Sequence, residues 1–120
     1  MAWGQTHGLG DAPTIEAVAT AIAALPFSGF GARTVVITQG SAQTVIAGGG
    51  FSGIKCVPVP PVVNIVDSNG AGDAFVGGFL AALAAGKDVE ACAAVGTWAA
   101  GIIIQRSGCT FDSSIKCPLL

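Results

Sequence analysis

The chain has 120 residues, of which 52% are hydrophobic and only 10% charged; its formal net charge is −2 and its mean hydropathy +0.71. This composition excludes a disordered segment. The five basic residues, Arg33, Lys55, Lys87, Arg106 and Lys116, are scattered, so no basic stripe exists to track a nucleic-acid backbone.

A charged fraction well below the usual roughly 25% leaves too little polar surface to cover a free-standing domain. The expectation is a core segment of something larger. The apolar runs at 74–85 and 95–104 fall short of the roughly 20 residues a membrane span needs. The start, Met1-Ala2-Trp3-Gly4, lacks the basic and apolar regions of a signal peptide. Cys56, Cys92, Cys109 and Cys117 form no C-x-x-C pair and the one histidine, His7, is distant. Reduced thiols are expected, in a cytoplasmic or nuclear setting, rather than a zinc site or a disulfide framework.

In chain order, residues 11–25 predict a helix. Asp11 is a candidate N-cap, Pro13 and Glu16 suit the first turn, and Ile15, Val18, Ile22 and Leu25 share a face. "TVVIT" at 34–38 predicts a buried strand and "TVIA" at 44–47 a second, joined as a hairpin through "QGSAQ". "IKCVPV" at 54–59 predicts an edge strand, because its prolines cannot donate to a ladder. "NIV" at 64–66 predicts a short strand. Helices follow over 71–85, closed by Gly86 as the C′ residue, and over 88–104, with Asp88 as N-cap and Glu90 in the first turn. Both are apolar nearly all round, a pattern expected of helices buried on every side.

Between strand and helix lies "VDSNGAGDAFVGGF", residues 66–79. Asp67, Ser68 and Asn69 are turn and cap formers. Gly70-Ala71-Gly72 is small enough for a ligand to touch the backbone. The helix that begins there offers free N–H groups and partial positive charge to an anion. Two familiar phosphate loops do not fit. In the dinucleotide pattern G-x-G-x-x-G, position 75 must be glycine and is Phe75; "GGGFSG" at 48–53 satisfies the letters but precedes a proline-bearing strand, not a helix. The P-loop pattern fails at Gly86-Lys87, where Ala81 and Asp88 stand in place of glycine and a hydroxyl residue. Asp73, in the first helical turn, either complements the helix dipole, holds a metal, or accepts a proton from an attacking hydroxyl.

"DSNGAGDAFVGGF" resembles the D-T-x-G-A-G-D signature of the ribokinase-like family of sugar and nucleoside kinases. "RTVVITQG" at 33–40 and "IIIQRSGCTF" at 102–111 are similar to further blocks of that family at matching spacing. "GCTF" after an apolar helix places the finer likeness with its adenosine-phosphorylating members rather than its sugar kinases. The resemblance covers residues 3–111; it implies that 1–111 are the C-terminal portion of a family kinase domain and leaves 112–120 as a tail.

The resemblance implies an α/β fold, with strands flanked by helices and the family's lid domain absent from these residues. It implies transfer of the ATP γ-phosphate to the 5′-hydroxyl of adenosine, with Mg²⁺ and also K⁺, by a monomeric enzyme with no nucleic-acid or membrane partner. Asp73 then matches the catalytic base and Gly70, Ala71 and Gly72 the anion hole. Thr38, Gln39 and Gly40 match a loop beside the nucleotide. Thr97 stands near the adenine, where many relatives carry histidine. Asp67 and Ser68 match a monovalent-cation site, and the same pair also suits capping of the helix start. Ser68 replaces the signature's threonine and keeps its hydroxyl. The family's N-x-x-E motif has no counterpart, since neither Asn64 nor Asn69 has glutamate three residues on. The 120 residues alone are therefore expected to be inactive. A sugar kinase of the same family and a non-catalytic nucleotide-binding remnant are the alternatives.

Overall fold

The computed structural model describes all residues except 1, 11, 12, 27, 30, 50–52, 109, 111 and 112, and the side chain of residue 2. The chain divides into two compact units, residues 1–58 and 59–120. The expected boundary between kinase domain and tail, at 111/112, lies outside the described residues.

The first unit opens with a short helix, α1 (Ala2–Thr6), which the sequence did not announce. Trp3 and His7, four residues apart, stack at 4.0 Å. Helix α2 is shorter than the predicted 11–25 and spans Ile15–Ala23. Its N-cap is Thr14, whose side chain accepts from the Ala17 N–H at 3.1 Å. Pro13 therefore precedes the helix instead of sitting in its first turn. Asp11, the expected cap, lies outside the described residues.

Strands β1 (Thr34–Gln39), β2 (Ala42–Gly48) and β3 (Ile54–Val57) form an antiparallel sheet in the order β1-β2-β3. The hairpin expected at "QGSAQ" is present. Gly40 leads its two-residue turn at φ +60°, the sign that a II′ turn requires at that position. The third strand stops at Val57, before Pro58, and lies at the edge as expected. Register places Val35, Ile37, Val45, Ala47 and Ile54 on one face. Ile15, Ala19, Ile22 and Ala23 of α2 pack on that face to make the unit's core.

The second unit is a helical hairpin preceded by an extended segment. Helix α3 spans Ala71–Ala84 and α4 spans Val89–Ile104. The link between them closes by local chemistry. Gly86, at φ +82°, gives its N–H to the Leu83 carbonyl, and Lys87 gives its own to Ala82, the Schellman pattern. Asp88 then caps α4 by accepting from the Ala91 N–H at 2.8 Å. Ala82, Cys92 and Val95 form the buried centre, with Phe79 and Cys117 against it.

The helices approach closely because glycine stands at their crossing. A Cβ on Gly96 would lie 2.7 Å from the Phe75 carbonyl oxygen, and one on Gly78 would lie 2.9 Å from that of Val95. Within this chain α3 is covered on one side only. Val76, Leu80 and Leu83, one stripe at i, i+4 and i+7, are 54%, 54% and 52% exposed, because α4 covers only the Phe75–Phe79–Ala82 side.

Residues 64–66 are not a strand. The segment is extended, but the Val66 and Asp67 N–H groups both bond to the Ile104 carbonyl, at 2.7 and 3.1 Å. That carbonyl belongs to the last turn of α4, where no intrahelical donor is left to satisfy it. The helix end thus takes the donors that a ladder would have used. Among the described residues, no helix is long and apolar enough to cross a membrane.

Candidate active site

The loop from Asp67 to Asp73 joins the extended segment to α3. Its pivot is Gly70, the N-cap, in the left-handed region at φ 81° and ψ −3°, a conformation costing other residues about 1–2 kcal/mol. Glycine there has a second effect. It has no side chain to cap the helix, so the first-turn N–H groups stay open. The Ala71 N–H leans to the Ser68 carbonyl at 3.4 Å and the Ala74 N–H starts the helical ladder at Gly70. Among the described residues, the N–H groups of Gly70, Gly72 and Asp73 have no acceptor. Of the three residues expected to form the anion hole, Gly70 and Gly72 present open amides, and Asp73 adds one that the motif alone does not reveal.

Gly72 is exposed, and a Cβ built on it meets nothing within 4 Å. Packing inside this chain does not require glycine there. The Asp73 carboxylate is exposed and, among the described residues, makes no hydrogen bond or ion pair. It stands one residue past Gly72 in the first turn of α3.

Asp67 is fastened on both sides. Its Oδ1 accepts from the Asn69 N–H at 2.9 Å and its Oδ2 from the Gly108 N–H at 3.2 Å, across 41 positions of sequence. Ser68 supplies its carbonyl to Ala71. Thr97, half-buried on α4, donates its hydroxyl proton to the Ala93 carbonyl at 2.8 Å; its oxygen keeps acceptor capacity for a ligand. Cys109 and Phe111 of "GCTF" lie outside the described residues, as do residues 50–52 of "GGGFSG". β3 follows the latter, in keeping with a chance match.

In the first unit, Thr38 falls where the β1–β2 register shifts between Ile37 and Gln39, the kind of irregularity that often re-aims a side chain beside a site. The Gln39 side chain donates to the Gln43 carbonyl at 2.7 Å and Gly40 makes the turn. Among the described residues, no three His, Cys, Asp or Glu side chains gather to hold a metal ion.

An α/β chain with amides and an aspartate left without partners among the described residues, at the start of a glycine-led helix, has parts that suit phosphate handling. The model of the pfkB family carbohydrate kinases matches residues 2–116, and the chain belongs to that family. Within it, the chain is similar to adenosine kinases. It is 46% identical over 110 residues to adenosine kinase 1 of Arabidopsis thaliana, covering 89% of this chain and 31% of that protein. Adenosine kinase of Anopheles gambiae, solved in complex with P1,P4-di(adenosine-5) tetraphosphate, superposes with a TM-score of 0.78 at 42% identity. That match covers 90% of this chain and 32% of the other. Adenosine kinase of Schistosoma mansoni in complex with 2-fluoroadenosine gives 0.82 at 37% identity, over 93% and 33%. The chain spans about a third of the length of the curated relatives it matches.

Proposed function

We propose that this chain forms the phosphoryl-transfer end of an adenosine kinase, which moves the γ-phosphate of ATP to the 5′-hydroxyl of adenosine. The observation that carries the reading is the Gly70–Asp73 arrangement: within one helical turn, three amides and a carboxylate that have no partner among the described residues. Asp73 takes the proton of the 5′-hydroxyl as its oxygen attacks the γ-phosphorus. The bond from that phosphorus to the β-phosphate oxygen breaks, and ADP leaves with the electron pair. Charge on the transferring phosphoryl oxygens rests on the amides of Gly70, Gly72 and Asp73. Such preorganised donors stabilise a transition state without reorganisation cost, and phosphoryl transfer depends almost wholly on positioning and electrostatics.

The reading assigns Thr38, Gln39, Gly40 and Thr97 to nucleotide contact. Mg²⁺ enters as a companion of the nucleotide phosphates, which together with water satisfy most of its coordination. No step is routed through the K⁺ site that the reading places at Asp67 and Ser68; the Asp67 carboxylate oxygens each accept one N–H group and keep acceptor capacity.

The test is a fusion in which these 120 residues replace the matching third of the Arabidopsis relative. AMP formation from adenosine and ATP is expected in the fusion, and none from the 120 residues alone. Asp73→Asn should lower kcat by about 10²-fold or more, within the usual range for a general base. Preference of the fusion for a sugar over adenosine, or undiminished turnover in the Asp73→Asn variant, overturns the reading.

A further inference from the structure

We infer that Asp67 is a positioning residue, whose carboxylate fastens the Gly70 loop to the turn after α4 and so fixes the direction of the Gly72 and Asp73 amides. The inference deepens the phosphoryl-transfer reading and rests on it.

A helix start is ordinarily fixed by a side-chain oxygen at the N-cap, which binds the N–H of the second or third helical residue. Here those N–H groups belong to Gly72 and Asp73, the ones a phosphate would use. A capping side chain at position 70 would consume them. Glycine leaves them open and, by the same token, leaves the loop without its usual fastener. Asp67 supplies the fastening from three residues upstream, at a place where it occupies none of the working amides.

Its two oxygens serve two different partners. One closes the local turn at Asn69, the other crosses to Gly108 beyond the end of α4. The backbone adds to the grip, since Val66 and Asp67 both donate to the Ile104 carbonyl. Gly108 can present its N–H because it sits at φ +69°, where a side chain is strained. The contact joins a charged acceptor to backbone donors, the stronger class of hydrogen bond. Asp67 is half-buried, which limits competition from water. Each oxygen accepts one N–H group and keeps a second lone pair, so the fastening role stands on these two contacts and not on exclusion of a cation.

The experiment uses Asp67→Asn, Gly108→Ala and the double variant, first in the 120-residue chain by NMR. Asn keeps one acceptor and loses the charge; Ala at 108 keeps the carboxylate and strains the donor. Each single variant should speed hydrogen exchange at the Gly108 amide by about ten- to hundred-fold, the worth of a hydrogen bond to a charged group. Amide order parameters at Gly72 and Asp73 should fall from about 0.85 towards 0.6. Amides inside α4, such as that of Val95, should hold their protection, which shows the fold intact.

In the fusion enzyme, each single variant should cost kcat about tenfold with the adenosine KM within twofold, and the double variant should cost no more than the worse single. Loop order unchanged in Asp67→Asn overturns the proposal, as does strict additivity. So does a defect confined to lost K⁺ activation in Asp67→Asn, absent from Gly108→Ala, because it would make Asp67 a cation ligand. A fusion inactive even without these substitutions bears on the phosphoryl-transfer reading, while the NMR result still decides whether Asp67 orders the loop.

Discussion

Replacing Gly72 with alanine separates what the loop needs for folding from what it needs for chemistry. The added methyl meets no atom of this chain within 4 Å, and Gly72 lies inside the first turn of α3 at a φ that alanine adopts freely. The folding side is therefore favourable. Alanine exceeds glycine in a helix interior by up to about 1 kcal/mol, and less is expected in the first turn, where part of the ladder is missing. That corresponds to a melting temperature raised by up to roughly 4 °C for a chain of this size. The chemical side is opposite. The Cβ of a helical residue tilts towards the helix N-terminus, so the methyl stands over the approach to the open amides. Phosphoryl oxygens must come within about 3 Å of those N–H groups to bond them. Losing one such donor typically costs about 10²–10³-fold in kcat. The assays are thermal unfolding of the 120-residue chain and AMP formation by the fusion enzyme. A variant that melts no lower and yet loses turnover is the expected pair of results. Full activity with the methyl in place would refute the placement of phosphate on these amides; a large loss of stability would refute the claim that the space is open.

Gly96→Ala should act the other way and destabilise the second unit by about 1–3 kcal/mol, the usual cost of overpacking. Its Cβ would meet the Phe75 carbonyl and ring at 2.7–2.9 Å, and urea unfolding followed by circular dichroism measures the loss. Cys92 is fully buried beside Asp88, and burial first, then that negative charge, pushes its thiol above the usual range. Cys56 is exposed, so a thiol reagent should label it in the folded chain and reach Cys92 only on unfolding, as mass spectrometry would read. Because the folded thiol holds its proton at a pH where the unfolded one releases it, Cys92 contributes stability below the ordinary thiol pKa and loses it as pH rises past that value. The difference in stability between the parent chain and Cys92→Ala should shrink above about pH 8.5.

Local chemistry was legible in the sequence and distant pairing was not. Asp88 and Gly86 announced the ends of α4 and α3 because caps are written within four residues of the helix they close. Gly40 announced the hairpin for the same reason. The helix start at Thr14 was misplaced by three residues, since aspartate and threonine compete as caps on nearly equal terms. Residues 64–66 have strand composition but lie against the end of α4, and no local pattern encodes a carbonyl forty residues away. The link from Asp67 to Gly108 is hidden likewise. At the site, the glycines and Asp73 were legible through their motif. What the motif could not say is which amides face outward: Ala71 turns its N–H towards Ser68, and Asp73 contributes its own.

The crossing of α3 and α4 at Gly78 and Gly96 works as a fulcrum. From Gly96 to Ile104, α4 is a rigid arm of about 12 Å at 1.5 Å per residue. The far end of that arm holds the root of the Gly70 loop through the Ile104 carbonyl. Any bulk wedged at the fulcrum would swing the arm and move the root with it. A displacement near 1 Å at a reacting centre can cost about 10²-fold in rate. The glycines of the crossing, one of them against the Phe75 carbonyl two residues past Asp73, thus bear on the aim of the groups that would hold a phosphate.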